Sequence, residues 1–223
     1  MVQFGFYAWA VVAFLMVFFI LKNASNSQKI ILRYMAFCIF WITYIAIISY
    51  TGILDNFGLP PRVPLMIVIP ITVGIIWLIN RKSFESILVN TPIYVPILLQ
   101  SFRIIVEFLI FGAYLNGVFP KRATFEGLNY DIVVGFSALL IGGLVQKNKL
   151  SFKSILIWNI ISLSILSLTV YSFISSYYFM SPSMNINYDF VKFPYILLAS
   201  VLLPIAIFLH AFSIKQTLLK TKS

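Results

Sequence analysis

Seven apolar runs follow one another along the chain, and their interiors carry almost no charge. They cover approximately residues 4–22, 30–53, 63–80, 93–118, 131–146, 154–176 and 193–213. A helix rising 1.5 Å per residue needs about 20 residues to cross about 30 Å of hydrocarbon. The runs match that length, the fifth only barely. They lack the two-residue alternation of barrel strands, and in lipid a backbone that is not in a closed barrel must satisfy itself as a helix. The expectation is an all-α, polytopic membrane bundle of seven transmembrane helices, one domain over 1–223.

Composition agrees. Of 223 residues, 61% are apolar and 10% charged, against about a quarter charged in soluble domains. Six connections and two tails leave no length for an extramembrane catalytic domain. The net charge of +10 does not signal nucleic acid, because the basic residues stand singly or in pairs between apolar runs rather than in a patch. The partners left by this composition are the lipid bilayer, a small-molecule ligand and a second copy of the chain.

The charges instead set orientation. Lys22, Lys29, Arg33, Arg81, Lys82, Lys147, Lys149, Lys153, Lys215, Lys220 and Lys222 fall on one side of a seven-span chain. Arg62, Lys121, Arg122 and Lys192 fall on the other, and Arg103 lies within a span. The richer side is expected to be cytoplasmic, which puts the N-terminus outside and the C-terminus inside. The first run has no basic residue ahead of it, with Lys22 after it, as expected of an uncleaved helix rather than a secretory leader. Trp77 and Trp158 near inner ends, and Tyr177 and Tyr178 near an outer end, fit interfacial belts or chance placement.

Turn residues separate the runs: Asn23–Ser27, Gly58–Pro61, Pro120–Arg122 and Ser181–Pro182–Ser183. Small residues Gly135, Ser137, Ala138, Gly142 and Gly143 in the fifth run, and Ser162, Ser164, Ser167 and Thr169 in the sixth, read as surfaces for close helix approach. Cys38 stands alone, so it forms no intrachain disulfide and no paired-cysteine metal site; it reads as a buried packing group. Pro64 and Pro70 in the third run and Pro194 and Pro204 in the seventh interrupt helices of equal direction. Paired interruptions mark transporter sites, but the interior prolines fall at different offsets, so kinks for packing are the favoured reading.

The fourth run is the most informative. Gln100, Arg103, Glu107, Phe111 and Tyr114 share an arc of about 80° on a wheel of 100° per residue. Leu98, Phe102, Ile105 and Leu109 take the opposite face, expected to meet lipid. Counted from Ile93 at 1.5 Å per residue, Arg103 lies about 15 Å and Glu107 about 21 Å deep. Ionisable residues at such depth are functional candidates that must otherwise pair. Their spacing of four allows a pair on one helix, either a structural tie or a proton- or anion-handling site. His210, Asn159 and Gln100 lie at depths that allow a polar cluster beneath them. One His without cysteines gives no zinc site, and the seventh run has no Lys for a retinal Schiff base.

The connection 119–131 holds Thr124, Glu126, Asn129 and Asp131. Three of these oxygens suit a hard cation, but without an EF-hand spacing. Asn129 or Asp131 also suits the N-cap of the fifth helix, with Gly127 in the turn of an ordered lid. The cap is the reading adopted, so no metal and no cofactor is expected.

Arg103-x-x-x-Glu107, followed by Thr124-Phe125-Glu126-Gly127-x-Asn129-x-Asp131, Trp158-Asn159 and His210, resembles a family of bacterial multi-pass membrane proteins without assigned activity. The resemblance implies a bacterial inner-membrane protein, and no reaction. No P-loop, GxGxxG, HExxH, GxSxG or kinase signature occurs, so no residue reads as catalytic. Three functions remain. The first is a small-solute carrier or ligand-binding bundle with a polar cavity lined by Gln100, Arg103, Glu107 and Tyr114. The second is a non-catalytic assembly or sensory subunit. The third is an intramembrane enzyme using Glu107 or His210 as base on a lipid-soluble substrate.

Overall fold

Continuous apolar sequence with few breakers folds as helix at every one of the seven runs. The structure is a computed structural model describing residues 1–25, 27–179 and 187–221. Asn26, the Ser181–Pro182–Ser183 turn and Lys222 lie outside the described residues, which contain helices and no strand.

Helix α1 spans Val2–Ala24 and α2 Gln28–Tyr50. A π-helical turn, Pro64–Val68, leads into α3, Ile69–Ile79. α4, Lys82–Asn90, follows after an 80° bend. α5, Tyr94–Leu99, continues through a 3₁₀ turn at Gln100–Phe102 into α6, Arg103–Leu115. α7 spans Asp131–Gln146 and α8 Phe152–Ile174, extended by a π turn at Ser175–Phe179. A third π turn, Leu198–Leu202, opens α9, Leu203–Lys220.

Five of these helical stretches among the described residues are long and apolar enough to cross a membrane, and the bent α3–α4 pair makes a sixth when taken as one span. α7 has 16 residues, about 24 Å at helical rise, short of a full crossing. The reason lies in the loop before it. Phe125 stacks on Phe111 at 4.7 Å and meets Phe108 edge-on at 6.1 Å, so the 119–130 loop folds down against α6 where a longer α7 would otherwise stand. Gly127 permits this: a Cβ there would lie 2.6 Å from the Arg122 Cα and carbonyl oxygen.

α4 was expected as a connection. Phe84, Ile87 and Leu88 are buried, while its outward residues are polar apart from exposed Val89, the pattern of a helix lying along an interface. Gln216 of α9 donates from Nε2 to the Leu88 carbonyl at 2.8 Å and also to that of Thr91, closing α4's orphan carbonyls. Asn90 in turn donates to the Ala24 carbonyl at the end of α1 at 3.0 Å.

α9 is the central helix, with 72% of its apolar window buried, against 11% for α2. Both proline kinks are sealed by α2. A proline removes the N–H that would serve the carbonyl four residues earlier. Pro204 so frees Ser200, whose carbonyl accepts from Trp41 Nε1 at 2.7 Å. Pro70 frees Met66, whose carbonyl accepts from the Tyr44 hydroxyl at 3.0 Å. Each proline stands two residues after the end of a π turn, a correspondence hidden in sequence because the prolines that open the two runs are offset differently.

Several surface expectations change. Leu98 approaches Gly142, Leu109 approaches Gly5, and Phe102 is buried; the face toward lipid carries Ile105, Phe108 and Leu115. The 3₁₀ turn advances about 120° per residue instead of 100° and rotates the helix after it. Gly135 and Gly142 do admit Ile104 and Leu98, but nothing comes within 4 Å of a Cβ at Gly143. Ser164 and Ser167 are exposed and bond back to their own helix. Cys38 is half-buried rather than enclosed. Tyr177 is an interior residue donating to the Val118 carbonyl at 2.9 Å, and Trp158 donates to Ser137 at 3.1 Å. Trp77 is exposed, with the Arg81 guanidinium 3.6 Å from its ring centre.

Candidate functional site

The antiparallel pairing of α7 against α5 and α6 carries Asp131, the first residue of α7, down to the level of Arg103. Both are buried. Arg103 therefore pairs with Asp131 and not with Glu107: Nε donates to Asp131 Oδ2 at 3.1 Å, and Nη2 meets Asp131 Oδ1 in a second, closer contact. Two-point contact matches the planar guanidinium to a carboxylate. The third side of the guanidinium faces His210, with Nη1 3.1 Å from Nε2. An arginine only donates, so Nε2 accepts and Nδ1 carries the proton toward Asn159 Oδ1 at 2.9 Å. Asn159 donates onward to Ser213 Oγ at 3.0 Å and to the Ile155 carbonyl at 2.9 Å.

A second branch holds Glu107. Asn129 Nδ2 donates to Glu107 Oε2 at 2.7 Å and to the Ala123 carbonyl at 3.0 Å. Its Oδ1 accepts from Thr169 at 2.8 Å and from the Asp131 backbone N–H at 3.0 Å. All four hydrogen-bonding positions of this amide are filled; the N-cap position of α7 falls to Tyr130 rather than to Asn129 or Asp131, and Asn129, one residue earlier, accepts only the first helical N–H. The network thus links α6, α7, α8 and α9.

The expected residues divide accordingly. Arg103, Glu107, Asn129, Asp131, Asn159 and His210 come together. Gln100 is fully buried but turns to α9, donating to the Ala206 carbonyl at 3.0 Å. Tyr114 stands apart against Phe111 at 5.9 Å and does not line the cavity described below. Thr124 stabilises its own loop through the Lys121 carbonyl at 2.8 Å, and Glu126 is exposed beside Lys121 at 3.3 Å. The oxygens of Glu126, Asn129 and Asp131 point to three different partners, so they do not gather around a cation. Among the described residues no cluster of three His, Cys, Asp or Glu side chains has metal-binding geometry.

Beside the network lies a cavity of about 320 Å³, at the small end of ligand sites. Arg103, Glu107, Asp131 and Thr169 border its floor with little polar surface, and the lining is almost wholly apolar and aromatic, including Leu166, Phe173, Tyr177 and Phe190. All three π turns contribute wall residues: Pro64 and Val68 from the first, Tyr177 and Tyr178 from the second, Leu198 and Ala199 from the third. Helical irregularities of this kind recur at functional sites. The cavity occupies the space between α3 and α8, which are not a closely packed pair, with half-exposed Ile69 at its edge.

Asp131 as the partner of Arg103, Thr169 as a floor residue and the aromatic wall were not assigned from sequence. One signal was present: Asp131 is the sole acid at the head of an apolar run, and a lone intramembrane arginine requires an acid. No family model, curated protein or solved structure is significantly similar to this chain.

Proposed function

We propose that this protein is a membrane-embedded ligand-binding bundle, a binder or carrier, that takes an amphiphilic small molecule with its apolar body along the aromatic wall and its polar head at Arg103, Asp131 and Glu107. The supporting observation is the cavity: an apolar space ending on buried ionisable groups and flanked by two kinked helices. The gap between α3 and α8 favours access from the bilayer, so the substrate is more apolar than the small polar solute suggested by the polar stripe alone. In this reading the chain crosses a bacterial inner membrane seven times, N-terminus outside, with α4 on the cytoplasmic surface.

Native mass spectrometry tests it. Protein released from mild detergent should retain an amphiphile, and Ala199→Leu, which narrows the cavity, should displace it. A bare protein whose wild-type and Ala199→Leu forms respond identically to every amphiphile would sink the reading.

The assembly or sensory subunit is the second reading. It is favoured by the contacts of Arg103 with Asp131 and His210, as expected where polar groups serve only to hold helices together. His210 has both ring nitrogens occupied, which leaves it poorly placed as a general base.

A further inference from the structure

The ionisable groups on the cavity floor are unequal in number, one base against two acids. Arg103 is matched by Asp131 through two contacts, whereas Glu107 has no cationic partner within ion-pair distance among the described residues. Glu107 is 1% exposed and receives one hydrogen bond, from Asn129 to Oε2. No donor among the described residues reaches its other oxygen, Oε1, and the residue borders the cavity. An acceptor buried without a partner is costly, and a buried charge without a counter-charge more so.

We propose that the ligand's head is an ammonium group, a primary or secondary lipophilic amine, received at Glu107 Oε1. The proposal rests on the binding reading above and adds the class of ligand. A cation at Oε1 supplies the missing donor and a charge that stabilises the ionised carboxylate, so that with it bound two positive and two negative groups share the floor. A carboxylate or phosphate head would add a third negative group beside Glu107 and Asp131, in a space whose remaining walls are apolar. An alcohol would supply a donor but no charge to hold the carboxylate ionised. Apolar side chains such as Leu166 and Phe173 take the alkyl or aryl body. No covalent step is involved.

The test compares octylamine, 1-octanol and octanoate, which share a body and differ in head, on the protein reconstituted in nanodiscs. Binding is read by displacement of radiolabelled octylamine and by the shift in melting temperature. Octylamine should bind saturably and at least about tenfold more tightly than the other two, and Glu107→Gln should remove that preference while leaving octanol unchanged. Glutamine keeps an oxygen for Asn129, and melting of the ligand-free variant verifies its fold. Should Glu107→Gln not fold, Val170→Phe takes its place, expected to exclude octylamine by volume, while the ranking of heads on the wild type decides the class. Equal affinity for amine and alcohol, preference for octanoate, or a preference unaltered in Glu107→Gln overturns the head-group assignment and leaves the cavity reading standing. Absence of saturable binding by all three probes, unaffected by Ala199→Leu, overturns both.

Discussion

Asn129 Nδ2 lies 2.7 Å from Glu107 Oε2, joining a loop residue to a carboxyl in the interior of α6. With both amide hydrogens and both oxygen lone pairs engaged, Asn129 orders the loop, accepts the first N–H of α7 and orients Glu107 together. Asn129→Asp replaces a donor by a second carboxylate and should destabilise more than Asn129→Ala, which only unpairs the network at about 1–3 kcal/mol for each orphaned group. Differential scanning fluorimetry of the two variants in detergent distinguishes them; equal losses would remove the amide from its central place.

Arg103 and Asp131 make the second prediction. Removing one partner of a buried pair leaves a lone charge and costs about 3–5 kcal/mol. Arg103→Ala and Asp131→Ala should each lower the melting temperature more than the double variant does. The same cycle between Arg103 and Glu107 should show weaker coupling. If Glu107 couples to Arg103 as strongly as Asp131 does, the partner assignment is wrong.

Trp41 and Pro204 are expected to be coupled through the Ser200 carbonyl. Trp41→Phe leaves that buried acceptor empty, at about 1–3 kcal/mol. Pro204→Ala returns a backbone N–H to the helix, so Trp41→Phe should cost less in that background. Thermal melting of the four proteins checks this, and strict additivity would argue against the shared carbonyl.

Two glycines should behave oppositely. Gly127→Ala drives a Cβ into backbone at 2.6 Å, where no side-chain rotation relieves it, and should disorder the loop that holds Asn129. Gly143→Ala meets nothing within 4 Å and should gain up to about 1 kcal/mol of helix propensity. Melting temperatures that move in the same direction would contradict this placement.

For orientation, single cysteines in a Cys38→Ser background report sidedness. A cysteine at exposed Ser83 of α4 should react with a membrane-impermeant thiol reagent only after the cells are opened, and one at exposed Glu126 should react in intact cells. The reverse pattern would invert the topology.

Much of the helical framework was legible because apolar length and the absence of breakers act locally. The polar stripe of the fourth run was legible in the same way: Gln100, Arg103 and Glu107 all turn inward as their spacing requires. The Arg103–Glu107 pair was read from that spacing alone, and proximity on one helix could not reveal that a different helix delivers Asp131. Tyr114 shares the arc yet stands apart from the site, because the loop that folds against the outer part of α6 supplies Phe125 there instead of a ligand. α4 escaped notice because nine residues with five polar side chains resemble a connection until the bend after α3 lays them along the bundle.

Sequence by itself determined that this chain is a set of membrane-compatible helices with a few ionisable groups too deep to be solvated, since hydrophobic length and burial cost are properties of segments. Which of those groups meet was decided only by the tertiary structure. The short α7, the proline kinks sealed by α2 and the descending loop each depend on contacts between residues far apart in the chain, and those contacts set where the charges pair and where a cavity remains.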